Sequence, residues 1–321
     1  MADNDSNNSG WERKALEKVA LAAISEQRTS RRWGILFKSL VLLYLFLLLF
    51  IGMGWIKSPD YKPSGKHTAL VELDGVIAAD SEASADKINS GLDAAFKDSD
   101  TKGVILRINS PGGSPVEAGR INDEMRRLRA LHPGIPLYVV VDDICASGGY
   151  YVAVAADKIF VDKASIVGSI GVIMDGFGFT GTMEKLGVER RALAAGENKT
   201  FLDPFSPLVP AQKEYAEKML AEVHQQFIKV VRDGRGKRLK EDPELFSGLV
   251  WVGQQSVALG LADALGSVDS VARDVIKAED IVDFTPHENF AERFAHKFGA
   301  TMAEPGRFSV MLGNANPEFC A

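Results

Sequence analysis

The stretch Leu137-Tyr138-Val139-Val140-Val141-Asp142-Asp143-Ile144-Cys145-Ala146-Ser147-Gly148-Gly149-Tyr150-Tyr151 decides how this chain is read. Residues 135–141 form an apolar, β-branched run that predicts a buried strand. After it the spacing predicts a tight turn and a helix to about residue 156. A serine at such a turn is lifted clear of the sheet. The glycines behind it let backbone N–H groups point at whatever the hydroxyl attacks.

Working outward, residues 67–77 and 103–108 read as two earlier strands, and residues 85–96 as the helix between them. The second strand runs into Asn109-Ser110-Pro111-Gly112-Gly113-Ser114, and a helix is expected over 115–131, with Val116, Ile121, Met125 and Leu128 among its apolar positions. Short strands are expected at 158–161 and 171–174, a long amphipathic helix over 210–234, helical stretches over 251–261 and 267–277, and a last strand over 281–284. Strands that alternate with helices predict a largely parallel sheet covered on its faces, an α/β domain. The glycine-rich run 168–181 lacks the spacing of a nucleotide-binding loop and is read as tight sheet packing near the site.

A chain of 321 residues with net charge −6 has ample core and no basic stripe, so nucleic acid is excluded as a partner. Two cysteines, Cys145 and Cys320, make neither a disulfide framework nor a metal set, and no HxxxH or CxxC spacing occurs. Neither cofactor nor metal is expected. Residues 39–56 (SLVLLYLFLLLFIGMGWI) carry no charge. At ~1.5 Å per residue they span roughly 27 Å, near the hydrocarbon thickness of a bilayer. Trp33 and Trp55 flank this segment, and Arg28, Arg31, Arg32 and Lys38 precede it, which places the N-terminal side in the cytoplasm. An uncleaved anchor is favoured over a cleaved signal peptide because the apolar core is long and no small-x-small site follows.

The domain reading follows from these features. Residues 1–32 are a cytoplasmic segment, with a helix over 11–27. Residues 33–56 are the anchor, 57–66 a proline-bearing linker, 67–285 the folded domain outside the cytoplasm, and 286–321 a tail in which Phe290, Phe294 and Phe298 make one helical stripe.

Ser147 supplies a hydroxyl that needs a base to become a nucleophile. Lys199, in Gly196-Glu197-Asn198-Lys199-Thr200, is the candidate base, since a serine–lysine pair is an alternative to Ser-His-Asp. A lysine works as a base only when neutral, so its pKa of ~10.4 must fall by about three units, which is roughly 4 kcal/mol. Desolvation supplies such a shift, and it requires that no carboxylate pair with the amine. Glu197 and Asp203 are therefore expected to point away. For the oxyanion, Gly148 offers one N–H and Gly113 the second, with Gly112 or Ser114 as alternatives. His67, His132, His224, His287 and His296 are read as surface or helix residues, not as a catalytic base.

Pro111-Gly112-Gly113, Ala146-Ser147-Gly148-Gly149-Tyr150-Tyr151, Ser165-Ile166-Val167-Gly168-Ser169-Ile170-Gly171-Val172 and Lys199 resemble, in order and spacing, the signal peptide peptidase A family in its short, single-domain form. The resemblance covers roughly residues 70–265 and implies a ClpP/crotonase-type α/β fold. It implies cleavage of remnant signal peptides within the membrane or at its surface, with Ser147 as nucleophile, Lys199 as general base and Ser169 as the hydroxyl that orients the lysine amine. It also implies a homo-oligomeric ring or dome in which serine and lysine come from neighbouring subunits. Residues 201–205 (FLDPF) resemble Gram-negative relatives, which favours an inner membrane and a periplasmic domain. Three other readings stand beside this one: a related protease of misfolded or membrane proteins, an acyl-CoA enzyme of the crotonase type, and an idle membrane-anchored scaffold.

Overall fold

The computed structural model describes residues 8–52, 65–240 and 242–286. The described residues fall into two units, 8–52 and 65–286. In the first unit a single helix, α1 (Asn8–Gly52), runs without interruption. The sequence predicts a helix over 11–27 separate from the apolar span. The two are one helix because the junction around Arg28–Gly34 holds no proline, and its weak helix formers Thr29, Ser30 and Gly34 lower helicity without breaking the hydrogen-bond ladder. Among the described residues this is the one helix long and apolar enough to cross a membrane. The end of the predicted span, the linker up to residue 64 and the phenylalanine-striped tail lie outside the described residues.

The second unit opens with β1 (His67–Asp74), α2 (Ala85–Lys97), β2 (Thr101–Ser110), α3 (Pro115–Leu131), β3 (Leu137–Ala146) and α4 (Gly148–Ala153). Next come β4 (Lys158–Val161), β5 (Ile166–Gly168), α5 (Thr180–Leu186), α6 (Pro210–Arg235), β6 (Val250–Val252) and α7 (Gly253–Leu259). The unit closes with β7 (Ala264–Leu265), α8 (Val268–Ser270), a π-helical turn (Val271–Ile276) and β8 (Ile281–Asp283). One sheet joins the strands in the order β6-β5-β3-β2-β1-β8; off this path β4 pairs with β3, and β7 pairs with β4. Every pairing is parallel except β5 with β6.

The central strands are apolar on both faces, as parallel strands under helices must be. Ala69, Val71 and Leu73 of β1, with Val104, Leu106 and Ile108 of β2, join the main core. Their alternating neighbours Leu70 and Ile105 join a second core with Val140, Phe160 and Val271 on the other face. The period of two therefore sorts one strand's side chains between two cores. Helix α2 adds Ile88 and Leu92, both fully buried, each worth about 1.5–3 kcal/mol of burial. Helix α3 begins where its signals place it. The Ser114 side chain accepts from the Glu117 N–H, and Pro115 takes the first turn, where a missing N–H costs nothing.

One predicted element is absent. Residues 171–174 form no strand; the short strand lies earlier, at Ile166–Gly168, where it pairs with Ile144–Ala146 of β3. β3 ends at Ala146, so no neighbouring strand remains beyond it to pair with residues 171–174. Ile173 and Met174 stand exposed, 82% and 47% accessible.

Candidate active site

Strand β3 ends at Ala146, and the chain turns into α4 at Ser147, whose φ of 51° and ψ of −121° are unusual for a residue with a side chain. The turn is held at both ends: the Ser147 N–H donates to the Gly168 carbonyl at 2.8 Å, and the Tyr151 N–H donates to the Ser147 carbonyl at 2.9 Å. Beneath it Cys145 is fully buried, and that burial pushes its thiol pKa up, which keeps it protonated and inert. Tyr150 is buried as well, and its hydroxyl donates to the Leu261 carbonyl at 2.8 Å, tying α4 to the segment before β7.

The Pro111-Gly112-Gly113 loop passes directly over this turn. A Cβ at Gly112 would stand 2.7 Å from the Gly148 nitrogen and 2.8 Å from the Ser147 Cβ. A Cβ at Gly148 would in turn stand 3.2 Å from the Gly113 nitrogen. Only glycine allows two backbones to approach this closely. The loop's other donors are engaged: Gly112 N–H donates to Ser110 Oγ at 3.1 Å and Ser114 N–H to the Ile77 carbonyl at 2.8 Å. The Gly113 N–H has no acceptor among the described residues. Gly148 heads α4, where the first N–H groups have no intrahelical acceptor. Ser147, Gly148 and Gly113 are thus brought together.

Ser169 lies beside them. Ala146 pairs with Gly168, so Ser169 follows Gly168 as Ser147 follows Ala146. Its φ is 52°, and its N–H donates to the Leu249 carbonyl at 2.7 Å. Lys199 is elsewhere in the single chain. It sits exposed in a turn between α5 and α6 and does not line the Ser147 cavity. Asp203, four residues further on, is taken by other partners: Arg190 Nε donates to its carboxylate at 2.6 Å and Ser206 Oγ at 2.7 Å.

A cavity of about 160 Å³ opens in front of Ser147, between Gly113, Ala118, Tyr151 and Val172 and the α6 residues Val223 and Phe227. No lining side chain carries a charge. Burial raises the pKa of Tyr151, helped by the Asp123 carboxylate, so the phenol stays neutral. The α6 residues were not among the candidates read from sequence. An amphipathic period marks the helix's buried side but does not say which site that side faces.

A serine raised on a strand-to-helix turn, beside unengaged backbone donors and before an uncharged cavity, has the form of a serine-hydrolase nucleophile turn on an α/β sheet. Comparison with known proteins agrees with that class. The model of peptidase family S49 matches residues 129–281. A Synechocystis sp. protein that carries a protease name, slr0021, is 30% identical over 205 residues, 63% of this chain and 70% of the relative. An Enterococcus faecium protein bearing a signal peptide peptidase SppA name is 31% identical over 230 residues, 69% of this chain and 66% of the relative. The Na(+)/H(+) antiporter NhaA of Brucella melitensis is 44% identical over 182 residues, 57% of this chain. This chain spans only 25% of that antiporter's length. The chain belongs to peptidase family S49, the signal peptide peptidase A family, and its mixed α/β sheet is the ClpP-like fold of that family.

Proposed function

We propose that this protein is a membrane-anchored serine endopeptidase that cleaves remnant signal peptides and similar short apolar peptides at the outer face of a bacterial cytoplasmic membrane. The observation that carries the reading is Ser147 at its turn, close to the Gly113 and Gly148 backbone and in front of a cavity whose lining carries no charge. Ser147 Oγ attacks the scissile carbonyl and passes its proton to a neutral Lys199 Nζ. The negative charge that develops on the carbonyl oxygen is met by the two glycine N–H groups, already in place. Lys199 then protonates the departing amine, and water, deprotonated by the same lysine, hydrolyses the acyl-serine. Ser169 orients the lysine amine. The cavity takes one medium-sized apolar side chain next to the scissile bond, which suits the apolar core of a signal peptide. Helix α1 anchors the chain, with its basic residues on the cytoplasmic side.

Lys199 reaches a serine of a neighbouring copy in a homo-oligomeric ring. The segment that carries it supports this: Ile173, Phe177, Leu186 and Leu193 are 82%, 80%, 72% and 101% exposed, far more apolar surface than a solvated loop needs. The test is hydrolysis of a short apolar peptide reporter by the detergent-solubilised full chain. Ser147→Ala and Lys199→Ala should each abolish turnover with folding and assembly retained. Turnover that survives either change moves the chemistry to other residues.

A further inference from the structure

The geometry points to Arg190 as a positioning residue that keeps Lys199 available as a base by sequestering the Asp203 carboxylate. This rests on the reading of Lys199 as the general base. Lys199 and Asp203 are four residues apart in a chain of consecutive turns: Lys199 N–H donates to the Gly196 carbonyl, Asp203 N–H to Thr200 and Ser206 N–H to Asp203. A carboxylate so close in the chain is the natural partner for a lysine ammonium. A pair between them would hold the amine protonated.

The structure sets Asp203 against a different cation. Its side chain is 8% exposed and ion-paired with Arg190, whose Nε lies 2.6 Å from Asp203 Oδ2. Ser206 Oγ at 2.7 Å and the Phe205 N–H at 3.3 Å complete the cradle. Arg190 is itself held in place, its guanidinium 5.6 Å from the Phe205 ring centre, and Phe205 stacks on Phe179 at 5.5 Å. The Phe179 N–H closes the arrangement on the Pro204 carbonyl at 2.7 Å. The Ser206 hydroxyl, with Arg190 and the Phe205 N–H, holds the carboxylate pKa below its ordinary value, which favours the ionised form. A negative charge four residues from the base in the chain leaves the amine free only if another positive charge cancels it. Arginine does so at any pH a lysine base can use.

The other charged groups around this turn leave Arg190 as the counter-charge. Glu197 lies exposed in the same turn, and Glu189 pairs with Arg191 at 2.9 Å. Glu184 and Lys185 lie exposed on α5. On α6, Lys213 pairs with Glu217 at 3.6 Å and Lys218 with Glu214 at 2.8 Å, and Gln212 meets the turn with neutral groups, at the Leu202 N–H and Asn198. The Ser147 cavity that receives the amine contributes no charge.

The experiment is the pH dependence of kcat/KM on the apolar reporter, for the full chain in detergent. It compares wild type with Arg190→Met, Arg190→Lys, Asp203→Asn, the Arg190→Met/Asp203→Asn double variant and Lys199→Ala. In Arg190→Met the acid limb, which reports deprotonation of the base, should move up by about one pH unit or more. That is about a tenfold loss at neutral pH with the alkaline plateau kept. Arg190→Lys and the double variant should return the midpoint to that of wild type. An Arg190→Met midpoint that stays in place, with or without a lower plateau, would overturn the inference and mark Arg190 as structural. Should Arg190→Met fail to fold, Asp203→Asn alone decides: it leaves Arg190 uncancelled, so the midpoint should fall, and one that stays or rises overturns the inference. Lys199→Ala reads the underlying assignment separately. Activity there removes the base itself, whereas an inactive Lys199→Ala beside an unmoved Arg190→Met midpoint rejects the role of Arg190 alone.

Discussion

Replacing Gly112 with alanine should damage catalysis far more than it damages the fold. Gly112 has a φ of 105°, where a side chain costs about 1–3 kcal/mol. Its new Cβ would meet the Gly148 nitrogen at 2.7 Å and the Ser147 Cβ at 2.8 Å. Both are roughly 0.7 Å short of ordinary contact, so the loop and the nucleophile turn must separate by about that much. That separation moves one N–H donor away from the other by more than the ~0.5 Å an assembled site tolerates. Losing one such donor costs about 10²–10³ in kcat. The assay is steady-state hydrolysis of the apolar reporter, with thermal unfolding measured on the same samples. The expected result is a kcat lower by two to three orders of magnitude, KM within a few-fold of wild type, and a melting temperature several degrees lower. A kcat within twofold of wild type would refute the argument that Gly113 and Gly148 act together on the oxyanion.

Three further outcomes follow from the same geometry. Ala118 is fully buried and lines the cavity, so Ala118→Leu should fill it. It should lower kcat/KM for leucine or phenylalanine next to the scissile bond by tenfold or more while sparing alanine, read with a small peptide panel. Gly119 sits in α3 with open space where a Cβ would go, so Gly119→Ala should raise stability by about 0.4–1 kcal/mol in denaturant titrations and leave turnover unchanged. The buried Arg235 donates to Asp263 at 2.8 Å. Burial works to raise the Asp263 pKa, but Arg235, the Ile159 N–H and Arg238 prevail and lower it. The stability this contributes is fully present above the unfolded carboxylate pKa and is lost as pH falls through the lower folded value. Asp263→Asn strands the arginine and should cost about 3–5 kcal/mol at neutral pH, a gap that narrows in acid melts as the wild type protonates.

Much of this arrangement is legible in the residues themselves. The Ser147 turn reads directly, because Ser-Gly-Gly stands between a strand pattern and a helix pattern, but β3 runs on through Asp142 and Asp143 to Ala146, past the strand end expected at residue 141. The start of α3 reads directly too, because Ser114 and Pro115 are start signals with a mechanism. Residues 171–174 have the composition of a strand, but composition carries no information on whether a partner edge exists, and β3 has ended by then. The cavity wall from α6 was hidden for a related reason: Val223 and Phe227 read as apolar helix positions, and only the fold turns them toward Ser147. Lys199 shows the limit most clearly. Its place in the motif order gives it a role, yet within one chain it stands exposed on a segment rich in uncovered apolar side chains. Long-range placement, not local propensity, decides such positions.

The most direct measurement is complementation in mixed oligomers. Ser147→Ala and Lys199→Ala chains, each inactive alone, are dissociated, mixed in equal amounts and reassembled, and co-assembly is verified by a tag on one of them. If each site takes its serine from one copy and its lysine from the next, about a quarter of the interfaces in a head-to-tail ring are intact, and activity returns to about that fraction of wild type. No recovery in verified mixed oligomers would contradict a site shared between chains.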